Sequence, residues 1–220
     1  MLQFRYVRRA LPVLALLLIP LGAVPGTTPL GAATRTPATT TETVTATVDT
    51  FVAGRYPGND FTGYAQYDIP LANFVVNAGY TQQPITTAEV AGTFRGLQKF
   101  DFSQFAGREI VKAVWHGDAL AVTGTKPVVL ALWPISTAWD QWSTSWANQP
   151  GVRAFQRYSK GFTHPGWRTA DITTYVANYA SGLWVNHGLE LRVPAGNGLV
   201  QLASYIWGPA SYVDVTYSTP

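Results

Sequence analysis

The sequence predicts an all-β protein, with antiparallel strands forming two sheets packed face to face and one short helix beside them. Three observations carry that expectation. The chain of 220 residues is 47% hydrophobic and only 12% charged, with 20 Gly, 15 Pro, 8 Trp and no Cys. So many aromatic and β-branched residues with so little charge build a core, and they exclude a disordered, coiled-coil or disulfide-framed chain. Short apolar/polar alternations recur between turn residues, whereas a single stretch carries helical spacing. A chain of this length buries an adequate core as one domain, and no repeat of solenoid or propeller length interrupts it.

The first stretch is set apart. Arg5, Arg8 and Arg9 precede an apolar run from Ala10 to Val24, broken by Pro12 and Pro20 and followed by the small residues Gly31, Ala32 and Ala33. A positive head, a short apolar middle and a small-residue exit make a secretory signal peptide over residues 1–33, so a secreted, cell-surface location is expected. An uncleaved anchor is the alternative, but the run is short and broken for a membrane span, and none is expected after cleavage. Cleavage removes three basic residues and no acid, which takes the formal charge from +3 to zero. The sequence pI of about 9.2 therefore belongs largely to the signal. Without a basic surplus or cluster, nucleic acid is not an expected partner. An exported chain without Cys must hold together by packing and hydrogen bonds.

Residues 34–43 are rich in Thr and Pro and read as a linker or extended arm; residues 44–220 form the sheet domain. Thr43 to Val52 alternates as a half-buried strand. Phe74-Val75-Val76 is apolar and ends at Asn77-Ala78-Gly79. Leu97 to Phe102 alternates, and Ile110 to Val114 leads through Trp115 to an expected turn at His116-Gly117-Asp118. Val128 to Trp133 is apolar on both faces, which suits a strand covered on both sides. Leu189 to Val193, with the turn Ala195-Gly196-Asn197-Gly198 after it, and Val213 to Tyr217 alternate again. Between them Ile172, Val176 and Tyr179 or Ala180 recur at helical spacing, with Asp171 or Thr173 to cap the start and Gly182 the end.

The order of these motifs resembles the DNRLRE-domain family, secreted bacterial and archaeal jelly-roll sandwiches related to carbohydrate-binding modules. The likeness begins at Val48-Asp49-Thr50-Phe51-Val52 and the turn with Asn59. It continues through Leu97 to Ser103, similar to the family's LKFDLS strand, and through Ile110, Ala113 and Trp115. Its most specific part is Trp139 to Pro150, similar to WDESTVTWNNQP with both outer Trp at the same separation. Asp171-Ile172-Thr173 with Val176 and Gly182, then Asn186 to Leu189, then Val213 to Tyr217 follow in the family's order. Together they span roughly residues 44–217. The sequence departs from the family where Trp142 replaces a polar residue, where Gln141 replaces an acid, and where Ser204 to Pro209 is unusually aromatic. The resemblance implies a two-sheet jelly-roll β-sandwich, a cell-surface or matrix setting, and a polysaccharide or cell-surface glycan as partner.

The residues give that partner a physical basis. A sugar ring presents an apolar C–H face and a rim of hydroxyls, so an exposed indole or phenol supplies the platform and amides, carboxylates and Arg satisfy the rim. The candidates are Trp142, Tyr158, Trp167, Arg168 and Trp184, with Gln156, Arg157 and Asn186 near them in sequence; Trp142, extra to the family pattern and set between two Trp that the fold needs, is the foremost. Trp139 and Trp146 read as packing residues, as do Tyr212 and Tyr217. Catalysis is not expected. His116, His164 and His187 lack metal-ligand spacing and sit beside Gly or Pro, and no nucleophile motif occurs. The Arg157–Arg168 stretch could supply a lyase's proton-abstracting Tyr or His, but a solvated loop is the preferred explanation. No cofactor is expected; a structural calcium at Asp49, Asn59 and Asp60 is conceivable, although turn chemistry accounts for these residues. The alternative function is assembly, in which the Thr-rich arm adds as a strand to a neighbouring copy and builds a homo-oligomer, filament or surface layer.

Overall fold

The computed structural model describes residues 37–54, 58, 74–77, 94–124, 127–193, 198–203 and 210–219. The signal segment, Asn59, Asp60, and residues 194–197 and 204–209 lie outside them. The described chain is an antiparallel β protein with one α-helix. Its ten strands are β1 Thr39–Ala53, β2 Phe74–Asn77, β3 Phe94–Phe100, β4 Ile110–Gly124, β5 Ala131–Pro134, β6 Arg157–Tyr158, β7 Gly166–Asp171, β8 Leu189–Arg192, β9 Gly198–Leu202 and β10 Tyr212–Ser218.

Two long strands organise the sheet because each changes partner midway. In β1, Thr39–Thr45 pair with β10 and Ala46–Ala53 pair with β3, with a register shift between Ala46 and Val48. In β4, residues 110–116 lie along β10, residues 119–124 lie along β9, and β7 runs along the opposite edge at residues 114–119. Register shifts of this kind bend a strand and let it pass from one part of a sheet to another. The hydrogen-bonded path β1–β10–β4–β9–β2–β3 therefore returns to β1, while β8, β5 and β6 extend from β3.

The core lies inside this folded sheet. Ala113 and Trp115 of β4 and Val213 and Val215 of β10 pack in one cluster with Phe100 of β3, Leu132 of β5, and Leu189 and Leu191 of β8. A polar relay crosses the same interior: Trp115 Nε1 donates to Gln98 Oε1 at 3.0 Å, and Gln98 Nε2 donates to Ser211 Oγ at 2.8 Å. The other side of β3 is covered as well. Val52, Leu97, Ile135 and Trp139 form a second cluster, where Lys99 Nζ lies 4.4 Å from the Trp139 ring and Arg95 Cζ 4.6 Å from the Trp146 ring. Trp139 and Trp146 thus clamp the 136–151 loop onto β3, the packing role expected of them.

Helix α1, Thr173–Ala180, turns Tyr175, Val176, Tyr179 and Ala180 into the core. Asp171 Oδ1 accepts from Thr173 N at 2.9 Å, and Gly182 N closes the last turn on Tyr179 O at 3.0 Å. Gly182 ends the helix as the sequence indicates, whereas at the start the N-cap position falls on Ile172 and Asp171 acts from one residue before it.

Several sequence expectations are corrected. His116-Gly117-Asp118 is no turn; β4 runs straight through it. Gly117 is needed there because a Cβ would stand 2.3 Å from Cη2 of Trp115, whose ring lies over the glycine. The Val128–Trp133 strand is shorter than expected: Val128 makes an isolated bridge to Phe162, and Ser159 Oγ takes the Leu130 N–H at 3.0 Å where a ladder would continue. The 157–168 stretch contains β6 and the start of β7. Thr39–Thr43, read as part of the linker, form the exposed beginning of β1 and pair with β10.

Candidate functional site

The five candidate residues fall in three different settings. Trp142 is 59% exposed on the 136–151 loop. Its backbone N–H is held by Asp140 Oδ1 at 2.9 Å, and its indole touches no ring or cation among the described residues. Trp167 and Arg168 are neighbours on β7, where side chains alternate between faces. Trp167 is 45% exposed on the outer face. Arg168 takes the other face, with Cζ 4.3 Å from the Phe162 ring and its guanidinium spent on the carbonyls of His164, Pro165 and Trp167. The two cannot serve one ligand.

Tyr158 and Trp184 belong to the third setting. Tyr158 is exposed on β6, and its hydroxyl receives Gln156 Nε2 at 2.9 Å. Trp184 is half-buried against Tyr175, Tyr179 and Phe155, at 6.2, 6.1 and 6.4 Å between ring centroids. Arg153 Cζ covers it at 4.7 Å. Its ring is therefore occupied and offers no open platform. Asn186 is likewise structural, since its Nδ2 donates to Phe100 O at 2.7 Å.

The outer face around Trp167 is more extended than the sequence shows. Across β10, β4 and β7, Tyr212 stands opposite His116 and His116 opposite Thr169; Asp118 stands opposite Trp167. The Tyr212 and His116 rings stack at 4.3 Å and 8°, and the Trp167 ring meets Tyr212 edge-on at 5.3 Å. Beside them His116 Nε2 approaches Asp214 Oδ2 to 3.1 Å without hydrogen-bond alignment. Asp214 Oδ1 accepts from Thr43 Oγ1 at 2.6 Å, and the hydroxyls of Thr41 and Thr216 meet at 2.8 Å. The result is an aromatic strip bordered by hydroxyls and carboxylates on one sheet face. Such a strip can stack on the C–H face of a sugar while the border exchanges hydrogen bonds with its hydroxyls.

Sequence reasoning found Trp167 and missed Tyr212, His116, Asp214 and Thr43. One signal was present: Tyr212 shares the outward phase of its strand with Asp214, whereas Tyr217 has the inward phase and is buried. The other partners are separated by many residues, and only strand register brings them together. Among the described residues no group of His, Cys, Asp and Glu is placed to hold a metal, and no helix is long and apolar enough to cross a membrane. The chain matches no protein-family model, and no curated protein matches it.

Proposed function

We propose that this chain is a secreted, non-catalytic module with a jelly-roll β-sandwich that binds glycan at the cell surface or in the matrix. The partner-switching of β1 and β4 and the Gln98–Trp115 relay support the sandwich reading, since both bring two sheet portions face to face over one core. The motif likeness to DNRLRE-domain proteins points the same way. A single observation carries the glycan reading: the exposed Trp167 ring set edge-on to the Tyr212–His116 stack, with Thr43 and Asp214 beside it. The platform is thus Trp167 with Tyr212, in place of the wider set named from sequence.

Affinity electrophoresis through gels containing neutral and acidic polysaccharides tests this. Trp167→Ala and Tyr212→Ala should each weaken retention, because stacking of a sugar face on one ring contributes about 2- to 10-fold in affinity. Trp142→Ala should leave retention unchanged. Retention that survives both Trp167→Ala and Tyr212→Ala rejects the strip as the binding surface. The assembly alternative carries a cost in this structure. The arm expected to join a neighbour is already paired with β10 over seven residues, Thr39 to Thr45, so exchange between copies requires that ladder to open.

A further inference from the structure

Seven cations lie over aromatic rings among the described residues, against about three expected for a whole chain of this size. Most of them also reach an oxygen on the protein. Arg95 and Arg192 meet Glu190, Lys99 donates to Trp139 O, and Arg168 donates to three carbonyls. Arg153 differs. Its guanidinium lies 4.7 Å from the Trp184 ring, yet it makes no hydrogen bond or ion pair among the described residues, and its Nε–H is buried without a partner.

Arg157 lies beside it in the same assembly. Its Cζ is 4.6 Å from the Phe155 ring, Phe155 meets Trp184 edge-on at 6.4 Å, and the guanidinium's one hydrogen bond among the described residues is from NH2 to Thr174 Oγ1 at 2.9 Å. The two guanidinium carbons thus lie over adjoining rings, Trp184 and Phe155, both of which pack against Tyr175. Stacking leaves the in-plane N–H groups free and removes rotamer freedom in advance, which suits a guanidinium to bidentate recognition of a planar or tetrahedral anion. Phe155, Leu183 and Val185 are 39%, 71% and 65% exposed and form an apolar border.

We infer a second binding site, in which Arg153 and Arg157 hold the carboxylate or sulfate of an anionic polysaccharide while the apolar border meets the sugar ring. The identity of the polymer rests on the glycan reading above; the site rests on its own residues. Charge separates the two surfaces. The Trp167 face carries Asp118, Asp171 and Asp214 against Lys112 and disfavours an anionic sugar, whereas among the described residues no carboxylate forms an ion pair with Arg153 or Arg157, and Asp171 reaches Arg157 only through a longer-range attraction.

The test measures binding of the full chain to polygalacturonate, a sulfated glycan such as heparin, an uncharged β-glucan and poly-glutamate, with thermal unfolding of every variant. Arg153→Gln and Arg157→Gln should each weaken polygalacturonate or heparin about 10- to 100-fold, the loss expected for a charge-assisted hydrogen bond, with β-glucan binding and unfolding temperature unchanged. Arg153→Lys should recover only part of the affinity, since it keeps the charge and loses the fork. Polygalacturonate and heparin together identify which anion fits. Equal binding of poly-glutamate, unaltered anion binding by both Gln variants, or no anion binding by the wild type overturns the inference. If Trp167→Ala removes anion binding as well, the glycan reading stands and this second site does not. If no glycan is retained at all, both fail.

Discussion

Replacing Gln98 by Leu asks whether the buried relay, in addition to apolar packing, ties β3 to β4 and to the residue before β10. Gln98, Trp115 and Ser211 are all inaccessible to solvent. Leu fills a similar volume but leaves the Trp115 N–H and the Ser211 hydroxyl without a partner and without water. Each such orphan costs about 1–3 kcal/mol, so Gln98→Leu should lose about 2–6 kcal/mol of unfolding free energy, offset by about 1 kcal/mol of added apolar burial. Ser211→Ala orphans only the Gln98 amide and should lose about 1–3 kcal/mol. In the double variant the hydroxyl that Gln98→Leu strands is gone. Its loss should therefore fall short of the sum of the singles by about 1 kcal/mol or more. Urea unfolding followed by Trp emission measures all three, with a constant m-value as the check on two-state behaviour. Additivity within about 0.5 kcal/mol, the scatter of independent sites, would show that the relay does not couple these residues.

Gly188→Ala should prevent stable folding, because φ is +96° and a Cβ would stand 2.1 Å from the backbone oxygen of Gln98; Gly107→Ala, at φ +72° with open space around it, should cost only about 1 kcal/mol. Thermal melts of the two variants check the contrast, and equal melting temperatures would contradict it. Trp184→Ala should destabilise by about 3–5 kcal/mol, as a packed ring does, with no direct loss at the Trp167 face. Burial raises the Glu190 carboxyl above its ordinary value despite Arg192 and Arg95. A raised folded value means that the group's contribution is complete below the unfolded value and lost as pH rises through the folded one. Wild-type stability relative to Glu190→Gln should therefore fall as pH climbs above about 4.5, and an increase over that range refutes the assignment. Asp171 shows the opposite sign: burial raises it, but the Thr173 hydrogen bonds with Arg157 and Lys112 outweigh this and lower it. Relative to Asp171→Asn the wild type should lose stability as pH drops through and below 3.8, measured by chemical unfolding at each pH.

Much of the fold was legible because the signals are local. The inward phase of β10, the spacing of Val176 with Tyr179 and Ala180 in α1, and the Asp171 contact to its first N–H each depend on residues a few positions apart. The misreadings arose where a distant contact changed the meaning of a local one. His116-Gly117-Asp118 has the composition of a turn, but Gly117 is there to admit the Trp115 ring. Arg168 follows Trp167 in sequence yet works on the opposite face, because adjacency along a strand is separation across the sheet. Trp184 resembles an open platform until Arg153 is seen to cover it.

By itself the sequence determined the helix and most of the longer strands, though not β6, β7, β9 or the run of β4 through Gly117, since hydrophobic period and capping chemistry act over one or two turns of chain. It also marked Trp167 as a ring available for contact. Tertiary structure alone decided that Thr43, His116, Tyr212, Asp214 and Trp167 share one surface. Strand register sets that neighbourhood, and register is fixed by the summed packing of both sheet faces rather than by any residue's own preference.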